Sequence, residues 1–287
     1  MNLLFHAMLE IPESTIISRQ ASSVLNGKKI TEVIPASSPH KFTFYNGDPL
    51  TYPFLLKGRK IETVKGYGAF VDLVMDRNTH LLIGDGTIMR YYLPGEEGPV
   101  KHQQWIGLDD GSFLVFTVAM YGGIFAFQGE YDNPYYQGSI HKLSPLEVDF
   151  DEAYFENMIR NSKKTLSAKA LLATEQRIPG LGNGVLQDIL FNAGIHPKRK
   201  IFTFSELEKS DLLYSIKGTL SRMIELGGRN TEKDFWGNWG GYPVLLSKNT
   251  YTSPCPRCGH KIIREAYLGG SVYYCPQCQP LSSRRIS

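Results

Sequence analysis

The sequence predicts an α+β chain that joins an antiparallel sheet system, a run of helices and a small cysteine module. Three observations carry this. Residues 30–148 consist of short apolar or alternating runs such as KKITEVI, GAFVDLVM, THLLIGDG and SFLVFTV, broken at Asn-Gly, Pro-Gly and Asp-Asp-Gly. That punctuation belongs to hairpins and excludes regular strand–helix alternation. Past Ser144-Pro145 the apolar period lengthens to that of helices, and all four cysteines fall between positions 255 and 278.

The elements follow in order. A helix is predicted over 10–29, where Ile16, Ile17, Ala21, Val24 and Leu25 recur at helical spacing after Pro12-Glu13 and before the stop at Asn26-Gly27. The strands of 30–148 come next. DEAYFENMIRN, SAKALLATEQ, GVLQDILFNAG and FSELEKSDLLYSIKGTLSRMIELGG read as helices, the first with acids at its start, where the helix dipole favours them. Residues 230–250 form a loop rich in Gly, Asn and Trp, 251–280 the cysteine module, and LSSRRIS a fraying tail.

A chain of 287 residues, 42% hydrophobic and 21% charged, can bury more than one core. MNLLFHAMLEI lacks the basic start and the small-residue cleavage site of a signal peptide. No apolar run reaches about 18 residues, so a membrane span is not expected and the cytoplasm is the expected compartment. Four thiolates and one Zn²⁺ would take the formal charge from +3 to +1. Affinity for a polyanion must therefore come from a local patch.

Cys255 and Cys258, then Cys275 and Cys278, make two close pairs sixteen residues apart. Such a spacing brings four thiolates to the corners of a tetrahedron around zinc, with a redox pair or disulfides as the alternatives. Four sulfurs leave no position for water, so the metal would be structural. Arg257, Lys261 and Arg264 outnumber Glu265 in this module, which makes Lys261 and Arg264 candidate phosphate contacts.

In IPGLGNG, residues 178–184, glycines permit close backbone approach before a helix start. Amides there can capture a DNA phosphate, helped by a side-chain donor such as Asn183, although an ordinary turn between helices is an equal reading. Lys198, Arg199 and Lys200 follow that helix, and Lys198 is a candidate backbone contact. Arg90, after GDGTIM, is another.

GLGN at 180–183, AGIHP at 193–197, GGRNTEKDF, SPCPRCG and YYCPQCQ together resemble the formamidopyrimidine-DNA glycosylase and endonuclease VIII family. The likeness runs from about Met8 to Gln279 and is most specific in the last third. It implies an N-terminal β-sandwich with a flanking helix over 8–148, a helix–two-turn–helix domain over 149–249 and a structural zinc finger over 250–280. It further implies that Asn183 binds the backbone of the damaged strand and that the finger supplies an arginine to the lesion phosphate.

The same resemblance exposes departures. The family start is similar to MPELPE, with methionine removed to free the proline amine that attacks the deoxyribose. Here MLEIPE occupies 8–13, so Glu10 and Glu13 match the glutamates while Leu9 stands at the proline position. Ala69 occupies the position of a family lysine, with Lys65 nearby, and Gly270 that of the finger arginine. In TVAMYGG, Met120 and Tyr121 replace a loop whose arginine and aromatic wedge fill the gap left by a flipped base.

These residues point to a zinc-containing DNA-binding protein of the glycosylase/lyase fold, with weak or absent catalysis, acting as a monomer on double-stranded DNA, damaged or abasic forms included. The alternative is an active oxidised-base glycosylase with β-elimination, in which Glu10 is the acid/base and the α-amine or Lys65 the nucleophile. A third reading is a zinc-stapled protein-interaction module.

Overall fold

The structure is a computed structural model that describes residues 9–282. A start at Met8 and the last five residues of the tail lie outside the described residues. The chain divides into two compact units, the first running to Ile140 and including Leu226–Gly241, the second comprising His141–Glu225 and the chain from Tyr242 onward.

In the first unit, α1 (Ile11–Leu25) begins with Pro12 in its opening turn, where a missing N–H costs no helical hydrogen bond. Ile16, Ile17, Ala21 and Leu25 form its buried face. It lies so close to β3 (Ile61–Tyr67) that a Cβ on Gly66 would come within 2.7 Å of the Ser14 carbonyl oxygen. Only glycine fits at that crossing.

The remaining strands are β1 (Ile30–Pro35), β2 (Thr43–Tyr45), β4 (Phe70–Met75), β5 (Thr79–Tyr92), β6 (Gln104–Leu108) and β7 (Phe113–Gln128). Their order is β1-β6-β7-β5-β4-β3, with β2 added in parallel to β7. Two long strands explain how one hydrogen-bonded sheet makes a sandwich. Between Asp85 and Thr87 the β5–β7 register slips, and Asp85 takes a φ of 52°. A bulge of this kind bends both strands. One arm then contributes Leu73, Leu81, Ile83 and Ile124, the other Ile30, Ile106, Leu114 and Phe116, to a single buried cluster.

That bend also corrects an expectation. Met120 and Tyr121 do not sit in a loop; they lie inside β7, because the ladder with β5 resumes on both sides of the slip. Two short helices, α2 (Tyr52–Leu56) and α3 (Pro134–His141), went unpredicted. YPFLL and PYYQGSIH are too short to show an apolar stripe.

Leu226–Gly241 carries no periodicity, yet it closes this unit. Phe235 is fully buried in the core; Gln20 donates through Nε2 to Asp234 and accepts at Oε1 from the Phe235 amide. Arg229 is buried against two carboxylates. It donates to Glu13 through Nε (2.8 Å) and Nη2 (2.7 Å), and its Nη1 lies 3.5 Å from Glu10 Oε2. Burial pulls the Arg229 pKa down, but Glu13 and Glu10 more than reverse this, so the guanidinium stays charged.

The second unit holds α4 (Glu152–Arg160), α5 (Ala168–Ala173), α6 (Asn183–Asn192) and α7 (Glu206–Glu225). Asp151 and Ser167 cap the first two by accepting from the amides of Tyr154 and Ala170. A hairpin of β8 (Ile263–Tyr267) and β9 (Gly270–Tyr274) follows. Its Ile262 and Tyr273 pack with three of the cysteines against Phe191 of α6 and Leu246.

Removing one member of a buried ion pair leaves an uncompensated charge, which costs about 3–5 kcal/mol. Arg229→Ala is therefore expected to lose about that much in urea denaturation, and Arg229→Ala with Glu13→Gln distinctly less. Equal losses in the single and double variants would show that the pair does not hold the segment.

Candidate functional site

The first unit gathers its polar groups around the start of α1. The Leu9 peptide nitrogen donates to the Asp85 carbonyl at 2.9 Å. A peptide nitrogen shares its lone pair with the carbonyl, and here its hydrogen is also engaged. Glu10, at the N-cap of α1, is 2% exposed. The Asp85 side chain is open to solvent but hemmed in closely enough that burial pushes its carboxyl upward. Tyr121 joins this neighbourhood: burial, and then the charges of Asp85 and Glu10, raise its phenol.

The other first-unit candidates stand apart. Lys65 is exposed on β3, in a groove lined by Ser18, Arg19 and Ser22 of α1, whereas Glu10 faces Arg229. Arg90 donates through Nη1 to the Met89 carbonyl (2.9 Å) and approaches that of Lys233 (3.5 Å). Burial lowers its pKa and Asp234 counters. Arg90 thus meets the returning Leu226–Gly241 segment. Trp236 from that segment rests edge-on against Tyr91, ring centres 5.4 Å apart.

In the second unit, Gly180 at φ 77° and an extended Gly182 lead into α6, whose first residue is Asn183 and whose N-cap offers no side chain. Asn183 Nδ2 donates to the Ser271 carbonyl at 3.1 Å. Gln187 Nε2 donates to the same oxygen at 3.2 Å, and Gln187 Oε1 accepts from the Tyr273 amide at 3.1 Å. The turn and the finger hairpin are therefore one hydrogen-bonded body. A Cβ added to Gly270 would meet Asn183 Nδ2 at 3.5 Å, ordinary contact, so a longer side chain there would stand beside the helix start.

The basic candidates lie close by. Lys198 Nζ is 2.6 Å from Glu265 Oε2 and stands over the Tyr267 ring. Arg264 Nε donates to Ser271 Oγ at 3.4 Å, its guanidinium over Tyr251. Lys261 is exposed, its backbone paired in an isolated antiparallel bridge with Pro254. His196 accepts the Lys198 amide and packs on Tyr274.

Sequence reasoning missed three residues of these frames. Gln187 had a visible signal, as a polar residue within an apolar helix. Arg229 had none beyond its motif. Lys169, buried and donating to the Tyr267 carbonyl at 2.7 Å, had none at all.

The four cysteine sulfurs lie within 4.8 Å of one another. Two pairs are separated by 3.8 and 3.5 Å, near the ~3.8 Å edge of a tetrahedron with Zn–S of about 2.3 Å. Burial and the neighbouring thiols push Cys278 up to about 12, a cost that a divalent cation removes. No disulfide joins the cysteines. The set fits zinc and leaves it no open position, so the metal braces the hairpin. Metal analysis should find one zinc per chain, lost in Cys275→Ser together with protease resistance of the hairpin; a zinc-free, disulfide-bonded finger would contradict this.

Comparison with known proteins agrees with this geometry. A family described as the formamidopyrimidine-DNA glycosylase H2TH domain matches residues 143–234, and one described as a zinc finger found in FPG and IleRS matches 253–281. The chain is 28% identical to a formamidopyrimidine-DNA glycosylase of Shouchella clausii, over 95% of this chain and 99% of that one. It is 29% identical to that of Carboxydothermus hydrogenoformans, over 95% and 100%. Among solved structures, MutM (Fpg) of Thermus thermophilus superposes with a TM-score of 0.77 at 22% identity, covering 94% of this chain and 98% of that one. Fpg of Lactococcus lactis bound to abasic-site DNA gives 0.79 at 22%, covering 94% and 99%. The chain thus carries an H2TH domain and a zinc finger of the kinds found in formamidopyrimidine-DNA glycosylases, and it is similar to those proteins along 95% of its length.

Proposed function

We propose that this protein binds double-stranded DNA, damaged or abasic forms included, through its helix turn and zinc finger, and that it performs little or no imine chemistry on it. The hydrogen bond from the Leu9 peptide to the Asp85 carbonyl carries the proposal. Attack on the deoxyribose C1′ needs a free amine, and the position that would supply one holds an amide. Lys65 could replace it only by leaving its groove on α1. Glu10 is buried beside Arg229, its Oε2 3.5 Å from the guanidinium, and so faces the helix brace.

The binding half rests on the second unit. The α6 start presents a helix dipole to a phosphate. Asn183 would exchange the Ser271 carbonyl for a phosphate oxygen, while Lys198, Lys261 and Arg264 supply charge. The lost guanidinium at Gly270 removes a bidentate phosphate grip, which weakens the hold on one flipped nucleotide more than on the duplex. The reading takes the protein to act as a monomer in the cytoplasm. No helix among the described residues is long and apolar enough to cross a membrane.

Binding to a duplex containing an abasic site should fall with salt, with a log–log slope of about −3 if three phosphates are neutralised. Lys261→Ala with Arg264→Ala should flatten that slope by about 2, and Asn183→Ala should weaken binding at every salt concentration. No binding at low salt, or a slope untouched by the double variant, would reject the proposed interface.

A further inference from the structure

The bulge that bends β5 and β7 carries two ionisable side chains that the fold itself does not employ. Asp85 stands opposite Gly122 in the ladder, and Tyr121, the neighbouring residue of β7, lies close enough for the Asp85 charge to act on its phenol. The bulge has no slack: a Cβ on Gly122 would lie 2.4 Å from Thr87 Oγ1, and that hydroxyl donates to the Gly123 carbonyl at 2.9 Å. Asp85 keeps its φ of 52° there, a conformation that costs free energy in a residue with a Cβ. Its carbonyl holds the Leu9 amide. Neither the Asp85 carboxylate nor the Tyr121 hydroxyl hydrogen-bonds to a described residue, and both residues reach solvent.

The charge of this corner is one-sided. Glu10 and Glu13 share the single guanidinium of Arg229, and Asp85 adds a third carboxylate nearby. Such a corner repels a phosphate and favours a positive charge. Cleavage of an N-glycosidic bond by water develops that charge, because the sugar passes through an oxocarbenium-like state as its substituent departs. The two side chains also suit the proton transfers. Burial raises the Asp85 carboxyl, which makes its ionised form a stronger base. Burial, and then the charges of Asp85 and Glu10, raise the Tyr121 phenol, which therefore keeps its proton at neutral pH.

We infer that Asp85 and Tyr121 are the general base and general acid of a hydrolytic base excision, in which water attacks the deoxyribose C1′ of a nucleotide carrying a damaged base. This rests on the reading that the protein binds damaged DNA without imine chemistry, and deepens it by assigning a reaction. Asp85 takes a proton from water as the water oxygen bonds to C1′. The C1′–N bond breaks, its electron pair leaves with the base, and the Tyr121 hydroxyl protonates the departing nitrogen. Solvent then carries the proton from Asp85 back to the phenolate. One water is consumed, and the products are a free base and an abasic deoxyribose in an unbroken strand. The Glu10 carboxylate moves no proton; its charge stabilises the transient cation. No step needs a free amine, so the engaged Leu9 peptide is no obstacle.

The test uses the full chain with duplexes carrying one thymine glycol or one formamidopyrimidine, under single turnover. Released base is read by mass spectrometry, abasic sites by cleavage in hot alkali, and imine by borohydride trapping. Wild-type protein should release base and leave alkali-labile sites, with no adduct and no nick before alkali. Asp85→Asn and Tyr121→Phe should each slow release by about 100-fold or more. The wild-type rate should rise with pH as Asp85 ionises, above the usual carboxylate range, and fall as Tyr121 loses its proton, above the usual tyrosine range. Asp85→Asn removes the rising limb and Tyr121→Phe the falling one. Asparagine accepts the same positive φ, and an unchanged melting curve shows that each variant is folded. Wild-type protein that binds these duplexes without releasing either base overturns the inference and leaves the binding reading intact. Release at the wild-type rate in both variants also overturns it. Release accompanied by a borohydride adduct overturns the inference and the imine-free reading together, and protein that binds no duplex loses both.

Discussion

Two carboxylates, Glu10 and Glu13, are buried at the start of one helix, and the guanidinium of Arg229 is what makes that burial tolerable. Without it, desolvating both charges would cost several kcal/mol each. Because Arg229 belongs to Leu226–Gly241, the same contact fastens that returning segment to α1 and fixes where the helix begins. A fixed helix start fixes Leu9, and Leu9 donates to the Asp85 carbonyl at the bulge that bends β5 and β7. The Leu9 peptide is therefore part of a braced arrangement around the start of α1.

The second unit solves a different problem. A finger of this size cannot bury enough apolar surface to hold its own shape, so zinc closes one end. Gln187 and Asn183 hold the other end through the Ser271 carbonyl and the Tyr273 amide. Phe191 packs among the cysteines from the same helix. The helix start and the hairpin consequently move as one surface. With glycine at position 270, that surface keeps its positive charge but lacks a fork-shaped donor at its tip.

Much of this was legible in the sequence, and the limits have physical causes. The cysteine spacing and the helical periods of α4, α6 and α7 depend on local pattern, which composition displays directly. The two-layered sheet was harder to read. Its layers come from one bulge at Asp85, and a single residue at positive φ leaves no periodic trace. The same blindness put Met120 and Tyr121 in a loop. Among site residues, the cysteines cluster as their spacing required, and Asn183 stands at a helix start. Arg90 meets backbone carbonyls and Lys65 lies in a groove on α1. Arg229 could not be found because its partners are more than two hundred residues away in sequence, and only the tertiary fold brings a buried cation to buried anions.

The claim on which the functional account turns is that no amine is available where the sugar would be attacked. Borohydride reduction on duplex DNA with an abasic site tests it most directly, using full-length protein whose N-terminal residue has been determined by mass spectrometry. The account predicts tight, salt-sensitive binding with no covalent adduct and no strand nicking above a protein-free control. A reduced protein–DNA adduct, mapped to the α-amine or to Lys65, would contradict it.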